Sequence, residues 1–320
     1  MVMVGKKVVV TGGAGFIGSH LVKRLVRDGN EVIVVDNLSE SSLDKLEPII
    51  EHVDFRKSDI RDLDGLVKIF SGVDTVFHLA ALRSVKRSVD NPVATNDNNI
   101  SGTLNVFEAA RINNVRRVVS ASSSSVYGKT SSKVLKETQR PNPQSPYALT
   151  KLAGEIYAKQ FFDLYGMDIV SLRYFNVFGP GQDPKGEYAV VVPLFIDRLM
   201  NSKPPRIDWD GKQSRDFTHV DNVVEANLLA AKKSGVGGEV FNIAAGNSYS
   251  VNYLFDKISK LLGVEIKALK GPKRAGDVRY TCGSVEKAKE KLGFKIVLDF
   301  EKGLKKTVAW YRKALKKPSK

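Results

Sequence analysis

The sequence predicts an α/β protein with a doubly wound parallel sheet, followed by a smaller mixed α/β lobe. Short apolar runs recur along the first part of the chain and alternate with segments in which apolar residues have helical spacing. A glycine-rich turn joins the first apolar run to the first helix. The alternation loosens near residue 175, so we predict a sheet domain at 1–175, with later segments crossing back, and a second lobe at 176–320.

Composition excludes several classes of protein. The chain has 320 residues, 42% of them hydrophobic, which is enough for a sizeable core. No apolar run approaches the ~18 residues that a membrane span needs, and no signal-peptide pattern follows Met1, so we expect no membrane contact and a cytoplasmic location. Cys282 is the single cysteine and the four histidines lack ligand spacing, so we expect no metal site.

The net charge of +15 is compatible with anionic partners, including nucleic acid. However, Lys and Arg are scattered over most predicted helices. The densest cluster, Lys302 to Lys320, has Leu304, Val308, Tyr311 and Leu315 at helical spacing, which is typical of a helix with one solvated face. We therefore expect no nucleic-acid partner.

The first strand, turn and helix form a dinucleotide-binding pattern. Lys7 to Thr11 is a buried-type strand, and Gly12, Gly15 and Gly18 follow it. Such glycines allow a tight turn and a close approach to a pyrophosphate, which the helix N-terminus attracts. The next strand, Glu31 to Val35, ends at Asp36, where a carboxylate can accept hydrogen bonds from a ribose and would repel a 2′-phosphate. This pattern favours NAD over NADP.

The remaining elements continue the alternation. We predict strands at 53–56, 75–79, 117–121 and 168–173, and helices at 63–70, 99–112 and around residue 147. Beyond residue 175 we predict helices at 193–200, 220–232 and 251–262, a strand and turn at 206–213, a basic strand and loop at 263–280, and two last helices from Ser284 and Phe300. Ligand contacts should lie just past the strand ends, at residues 59–60, 79–81 and 122–125.

A candidate acid/base pair follows the serine run. Tyr147 and Lys151 are four residues apart, so on a helix their side chains lie on one face, one turn apart. A neighbouring ammonium favours the phenolate and lowers the pKa of a tyrosine. Taken alone, this spacing is more often a packed aromatic and a solvated charge.

Taken together, the motifs resemble those of the extended short-chain dehydrogenase/reductase family, with its Rossmann fold, and within it the nucleotide-sugar 4-epimerases. The resemblance covers essentially the whole chain. It rests on the segments 11–18, 36–38, 78–81, 98–103, 125–128, 172–176, 214–217 and 276–278, together with Tyr147 and Lys151.

The resemblance implies a role for each matching residue. Tyr147 would be the acid/base, Lys151 would bind the nicotinamide ribose, and Ser123 would bond the sugar O4. The implied NAD contacts are Gly12, Gly15, Phe16, Ile17, Asp36, Asn37, Asp59, Ile60, Leu79, Ala80, Ala81, Asn99, Tyr147, Lys151 and Tyr174. The implied contacts to a UDP-sugar are Arg83, Ser123, Ser124, Tyr147, Asn176, Ala189, Val190, Ile207, Arg215, Arg274, Asp277 and Thr281.

The implied reaction is a reversible 4-epimerisation through a 4-keto sugar with retained NAD+, by a homodimer. Ser124 and Ser125 occupy positions where relatives that eliminate water or decarboxylate have acidic residues, so those reactions are disfavoured. The small Thr281, and the similarity of residues 183–189 to N-acetylhexosamine epimerases, favour UDP-GlcNAc/UDP-GalNAc, with UDP-glucose/UDP-galactose also expected.

Alternatives stay open at this point. The serine run is equally similar to that of UDP-glucuronate 4-epimerases, whose substrate carboxylate could meet Arg83 and the serine hydroxyls. A non-catalytic dinucleotide sensor or nucleic-acid-binding protein has only the basic charge in its favour. Trp209 departs from the family, which usually has Gly there, beside the uracil-binding stretch near Ile207.

Overall fold

The computed structural model describes residues 4–184, 190–273 and 279–314. The strands are β1 (Lys7–Thr11), β2 (Glu31–Asp36), β3 (Val53–Lys57), β4 (Thr75–His78), β5 (Arg117–Ser123), β6 (Ile169–Tyr174), β7 (Val177–Phe178), β8 (Arg206–Asp208), β9 (Ser214–Arg215), β10 (Thr218–His219), β11 (Val240–Ile243), β12 (Tyr249–Ser250) and β13 (Leu269–Gly271).

The helices are α1 (Phe16–Arg27), α2 (Leu63–Ile69), α3 (Val85–Asp90), α4 (Pro92–Asn96), α5 (Gly102–Ile112), α6 (Pro146–Tyr165), α7 (Val191–Met200), α8 (Val220–Lys232), α9 (Val251–Leu262), α10 (Glu286–Leu292) and α11 (Phe300–Ala314). Short 3₁₀ turns lie at Leu43–Lys45, Glu47–His52 and Ser124–Tyr127, and a π-helical turn lies at Asp97–Ser101.

The central sheet has seven strands in the order β11-β6-β5-β4-β1-β2-β3, and every pairing in it is parallel. This confirms the predicted α/β class and doubly wound sheet. The strand order reverses between β1 and β4, so a crevice opens outside their carboxyl ends, which is where open α/β sheets bind ligands.

Both faces of the sheet are buried, as a parallel sheet between helices requires. Val8 and Val10 of β1 belong to one apolar cluster with α1 and α8, and Val9 belongs to a second cluster with α2, α5 and α6. A third apolar cluster lies in the second lobe, where α7, α9 and α11 pack around Phe178 and Phe300.

Most predicted elements are confirmed, and α8 and α9 have the predicted bounds. Strand β11 was not predicted. It is short, lies between glycine-containing turns, and pairs with β6, so the chain returns to the main sheet after α8. Helices α3 and α4, of six and five residues, were also missed because each is too short to show apolar periodicity. The division at residues 175 and 176 stays a prediction.

The basic C-terminal helix has the predicted orientation. Leu304, Val308 and Tyr311 of α11 are buried, and its lysines lie on the other face. Leu315 lies outside the described residues. Within the described part of the chain, no helix combines the length and apolar character that a membrane crossing would take.

Candidate active site

The glycine turn between β1 and α1 lies against the end of β4. Gly12 has a φ of +69°, and a Cβ there would lie 2.7 Å from the backbone nitrogen of Ala80. A Cβ on Gly18 would lie 2.2 Å from the carbonyl oxygen of Gly12. Gly15 at the N-cap has no capping side chain, and the first turn of α1 has no acidic residue. This helix end therefore fits the predicted pyrophosphate, which its free N–H groups would bind.

Asp36 closes the same turn from β2. One carboxylate oxygen accepts a hydrogen bond from the backbone N–H of Ala14 at 3.1 Å, and the other accepts from the N–H of Leu38 and the hydroxyl of Ser41, both at 2.9 Å. Asp36, which is predicted to bind the ribose, is therefore buried and also stabilises the glycine turn. Its position beside the turn fits the predicted NAD.

Several of the predicted NAD contacts lie near one another. Asn37 donates a side-chain hydrogen bond of 2.9 Å to Asp59. Arg61 donates two side-chain bonds to the same carboxylate and holds the pKa of Asp59 well below its usual range. Ile60 is buried against Gly102 on α5, where a Cβ would meet its Cδ1 at 2.6 Å. At the start of α1, Phe16 packs edge-on against His20, and Ile17 packs on the core.

A buried histidine, which sequence reasoning missed, supports the segment after β4. His78 shares hydrogen bonds of 2.8 Å with the hydroxyl of Thr11 and 2.9 Å with the hydroxyl of Thr103. Thr11 in turn accepts from the backbone N–H of Ala80 at 3.3 Å. Burial, with a smaller contribution from the charge of Lys151, lowers the pKa of His78 to about 3, so the imidazole is neutral.

The π-helical turn connects this segment to α6. Asn99 accepts from the backbone N–H of Leu82 at 2.8 Å and donates to its carbonyl at 3.0 Å. Its amide also donates to the hydroxyl of Thr150, which bonds back to the carbonyl of Tyr147. Asn99, predicted as a cofactor contact, therefore joins residues 79–82 to the helix of the candidate acid/base. π turns are frequent at functional sites.

Helix α6 presents Tyr147 and Lys151 to the end of β5. The hydroxyl of Ser145 caps the helix by accepting from the N–H of Ala148 at 3.2 Å, and Pro146 occupies the first turn. Lys151 donates from Nζ to the carbonyl of Ala121 at 2.8 Å. The predicted pair thus lies on the face that packs on the sheet.

The charges around the pair set its proton affinity. Burial raises the pKa of Tyr147, whereas a hydrogen bond with Ser123 and the positive charge of Arg83 lower it. Burial lowers the pKa of Lys151 to about 8, and Glu155 counteracts this shift. Ser123 therefore lies beside Tyr147, and Lys151, one turn further along α6, bonds to Ala121 on the same strand as Ser123.

Behind Lys151 lies a buried ion pair that sequence reasoning did not single out. Glu155 accepts from Arg173 at 2.8 Å and 2.6 Å, and the hydroxyl of Ser122 also donates to it. Arg173 stacks 4.6 Å above the ring of Tyr127. The available signal was the spacing of Glu155, which follows Lys151 by the same four residues that separate Lys151 from Tyr147.

The rest of the serine run forms a turn. The hydroxyl of Ser123 accepts from the backbone N–H of Ser125 at 3.1 Å, and Ser124 opens the 3₁₀ turn. On the neighbouring strand β6, Tyr174 is the register partner of Ser123. Tyr174 is buried, and its hydroxyl donates a hydrogen bond of 3.0 Å to the side-chain oxygen of Asn227. No carboxylate occupies positions 124 and 125, as the sequence shows.

The predicted substrate residues of the second lobe lie in two connected groups. Asn176, at a φ of +29°, donates to the carbonyl of Asp216 at 3.2 Å. The carbonyl of Ser214 accepts from Arg215 at 2.9 Å and from the backbone N–H of Thr281 at 3.2 Å. Arg215 and Thr281 are therefore adjacent. Arg215 is also next in the chain to Asp216, which accepts the hydrogen bond from Asn176.

The remaining predicted substrate contacts are more scattered. Ile207 is buried in the core of the second lobe, and Val190 precedes α7 with about a third of its surface exposed. Ala189, Arg274 and Asp277 lie outside the described residues.

Trp209 adopts a backbone conformation that favours glycine. Its φ is +59°, in the left-handed region that disfavours side chains. Its indole lies 4.2 Å from the Lys273 amine and 4.3 Å from the Arg279 guanidinium. Arg279 also bonds to both oxygens of Asp210. Trp209 thus anchors two cationic residues beside Ile207.

Comparisons with known proteins agree on one family. Residues 8–244 match the NAD dependent epimerase/dehydratase family. The chain is 41% identical over 307 residues to a putative UDP-glucose 4-epimerase of Methanocaldococcus jannaschii, covering 95% of this chain and 98% of that protein. It is 40% identical over 311 residues to a UDP-glucose 4-epimerase of Mycolicibacterium smegmatis, covering 96% and 98%.

A solved structure extends the similarity to three dimensions. The fold resembles that of a UDP-N-acetylglucosamine 4-epimerase from Methanobrevibacter ruminantium M1, in complex with UDP-N-acetylmuramic acid, with a TM-score of 0.93 and 43% sequence identity. The match covers 98% of this chain and all of that one.

Proposed function

The chain belongs to the NAD dependent epimerase/dehydratase family, and from this premise we propose that it catalyses the reversible 4-epimerisation of UDP-hexoses. The substrates are UDP-GlcNAc/UDP-GalNAc, UDP-glucose/UDP-galactose, or both. The observation that carries the proposal is the convergence of Ser123, Tyr147 and Lys151 at the carboxyl edge of the sheet, beside the glycine turn.

The proton chemistry follows from these side chains. NAD+, when bound, would supply the acceptor for the hydride of the sugar C4 and the donor for its return. Tyr147 as phenolate takes the proton of the O4 hydroxyl, while Ser123 holds that oxygen by a hydrogen bond. Lys151 stabilises the phenolate by its charge, which acts strongly in a site shielded from water.

Inversion requires that the sugar turn while the nucleotide stays bound. In this proposal Asn176 and Arg215 hold the diphosphate, so the 4-keto sugar can present its other face before Tyr147 gives the proton back. Ser124 and Ser125 have no acidic group that could eliminate water from the keto sugar. The reaction therefore ends as an epimerisation.

The substrate side of the site favours a small or N-acetylated C2 group. Thr281 is short and its hydroxyl is directed to the carbonyl of Ser214, at 3.4 Å. A bulky aromatic residue at this position would crowd an N-acetyl group, whereas threonine leaves room for it. We therefore expect UDP-GlcNAc to be accepted.

UDP-glucuronate is a second candidate substrate, and one observation favours it. Arg83 is exposed, and its charge acts on Tyr147, so a cation lies near the sugar end of the site. A carboxylate at C6 could pair with this guanidinium.

A substrate panel tests the proposal. UDP-glucose, UDP-GlcNAc and UDP-glucuronate are incubated with the protein without added NAD+, and the products are separated by chromatography. We expect the 4-epimers of UDP-GlcNAc and UDP-glucose. Conversion of UDP-glucuronate alone would select the second candidate, and turnover of none would reject the proposed function.

Apolar side chains on the outside of α3, α4 and α6 support a homodimer. Val89, Val93, Ile156 and Leu164 are each more than half exposed. Exposed apolar surface of this kind marks association sites. We propose that a second copy covers these helices, and light scattering should give twice the mass of the chain. An Ile156→Asp variant should be monomeric, and a wild-type monomer would contradict the proposal.

A further inference from the structure

The ion pair behind Lys151 has no part in the reaction as described above. We propose that Glu155 is a positioning residue for the epimerisation, whose carboxylate supplies the fixed negative charge that holds Lys151 as a cation against the carbonyl of Ala121. The role of Glu155 in catalysis rests on the proposed function. Its effect on the charge of Lys151 is independent of that function.

Three consecutive residues of β5 attach α6 at three successive turns. Ala121 accepts from Lys151, Ser122 donates to Glu155, and Ser123 bonds with Tyr147. Tyr147, Lys151 and Glu155 follow one another at intervals of four residues and therefore share one face of the helix. The geometry directs the carboxylate toward the same side of α6 as the amine.

Hydrogen bonds fix the orientation of the Glu155 carboxylate. Arg173 donates to both of its oxygens, at 2.8 Å and 2.6 Å, and both side chains are only 4% exposed. Bidentate arginine–carboxylate pairs fix orientation as well as charge. A buried carboxylate so held acts on its neighbours as a permanent charge.

The other groups that face Lys151 cannot replace this charge. His78 on β4 is buried and neutral, and β5 contributes a carbonyl and hydroxyls. Tyr147 on α6 is a phenol whose pKa is raised by burial, so it does not supply a negative charge either. On β6, Arg173 is a cation and therefore cannot supply a negative charge to Lys151. Burial lowers the pKa of Lys151 to about 8, and Glu155 is the anion that opposes this shift.

The same part of the sheet contains a second ion pair, with which a purely structural role of the Glu155–Arg173 pair can be compared. Arg117 at the start of β5 is buried and pairs with Asp168, next to β6, far from Lys151. This pair joins β5 to the segment before β6 and also bonds to carbonyls of α8 and the residue after it. Its arginine is 1% exposed and its carboxylate 29% exposed, so it is a control for the loss of a largely buried ion pair in the same part of the sheet.

The test uses a double variant, Glu155→Gln/Arg173→Met, because removing one partner alone would leave a buried unpaired charge and could unfold the protein. The protein is labelled with ¹⁵N at the lysine Nζ, and Lys151→Met identifies the Lys151 signal. We expect the double variant to lower the titration midpoint of Lys151 by ~1 pH unit. The control Arg117→Met/Asp168→Asn should leave the midpoint unchanged.

Turnover gives a second readout. With less positive charge beside it, Tyr147 should ionise at higher pH, so the ascending limb of kcat against pH should move up. The cationic fraction of Lys151 at pH 7 falls from about 0.9 to about 0.5, so kcat at pH 7 should fall about twofold. KM should change little.

A folded double variant with the wild-type Lys151 midpoint, or a control that shifts as much, would overturn the inference. A wild-type protein inactive on every UDP-sugar would reject the proposed function, while the Lys151 titration would still decide the role of Glu155.

Discussion

At the scale of single residues, identical side chains in the serine run have different surroundings. Ser122 bonds to Glu155, Ser123 meets Tyr147, and Ser125 contributes its backbone N–H to the turn. Resemblance to the family singled out Ser123 by its distance from Val126. The partner of Ser122 lies 33 residues away on another element, so no local pattern could have shown that contact.

Tyr147→Phe should abolish turnover and leave the fold intact. The substitution removes only the hydroxyl that exchanges the proton, and we expect kcat to fall by about 10³-fold, within the range for loss of an acid/base group. Turnover of UDP-GlcNAc is compared with the melting temperature and with the NAD released on denaturation. Tyr157→Phe, on the same helix and partly buried against the core, is the control. Comparable activity in the two variants would remove Tyr147 from the mechanism.

At the scale of elements, long and strongly patterned segments could be predicted and short ones could not. The bounds of α8 and α9 follow from apolar periodicity over 12 or 13 residues. Strand β11 has four residues, and only its pairing with β6 distinguishes it from a loop. The π turn at Asp97–Ser101 was read as ordinary helix, because the extra residue per turn has no sequence signature at this length.

The glycine turn has no room for a side chain, which gives a sharp prediction for Gly12→Ala. A Cβ there would approach the backbone of Ala80, which cannot rotate away, and φ of +69° adds a cost of about 1–2 kcal/mol. We expect loss of retained NAD, measured by mass spectrometry of the released nucleotide, and a lower unfolding free energy. Gly72→Ala has a similar φ of +71° and no atom within 4 Å, so it isolates the conformational cost. Equal NAD retention in the two variants would contradict the close approach.

At the scale of the whole molecule, one buried carboxylate ties distant segments together. Asp216 accepts from the backbone N–H groups of Ala245 at 2.7 Å, Gly246 at 3.0 Å and Gly283 at 3.2 Å. Ala245 and Gly246 follow β11 of the sheet, and Gly283 precedes α10. Asp216 therefore joins the sheet to the segment that carries Thr281. Sequence reasoning missed this role because the donors are backbone groups.

Asp216→Asn should destabilise the whole chain. The amide would direct an NH₂ group at backbone donors, leaving buried groups unpaired at a cost of about 1–3 kcal/mol. Urea unfolding at pH 7.5 measures the change. Asp54→Asn, at an exposed ion pair with Arg56, should change the unfolding free energy by less than ~0.5 kcal/mol. An equal effect of the two substitutions would show that the backbone bonds to Asp216 add little.

The buried histidines should make the protein less stable in acid. Burial lowers the pKa of His78 to about 3 and that of His219 to about 4, below the ordinary 6.5, so both take up protons when the chain unfolds between about pH 4 and 6.5. Burial raises the pKa of Asp216 to about 6, which opposes the trend in part of this window, because that group releases a proton on unfolding. Burial also lowers the pKa of His20, which adds to the uptake. The histidines together outweigh Asp216 and leave a net uptake of at least about one proton, so the unfolding free energy should fall by at least about 1.4 kcal/mol per pH unit as the pH is lowered. Urea unfolding from pH 7 to pH 4.5 measures the slope. His78→Gln should reduce the slope, whereas the exposed control His52→Gln should not. A slope unchanged by His78→Gln would show that this imidazole does not take up a proton on unfolding.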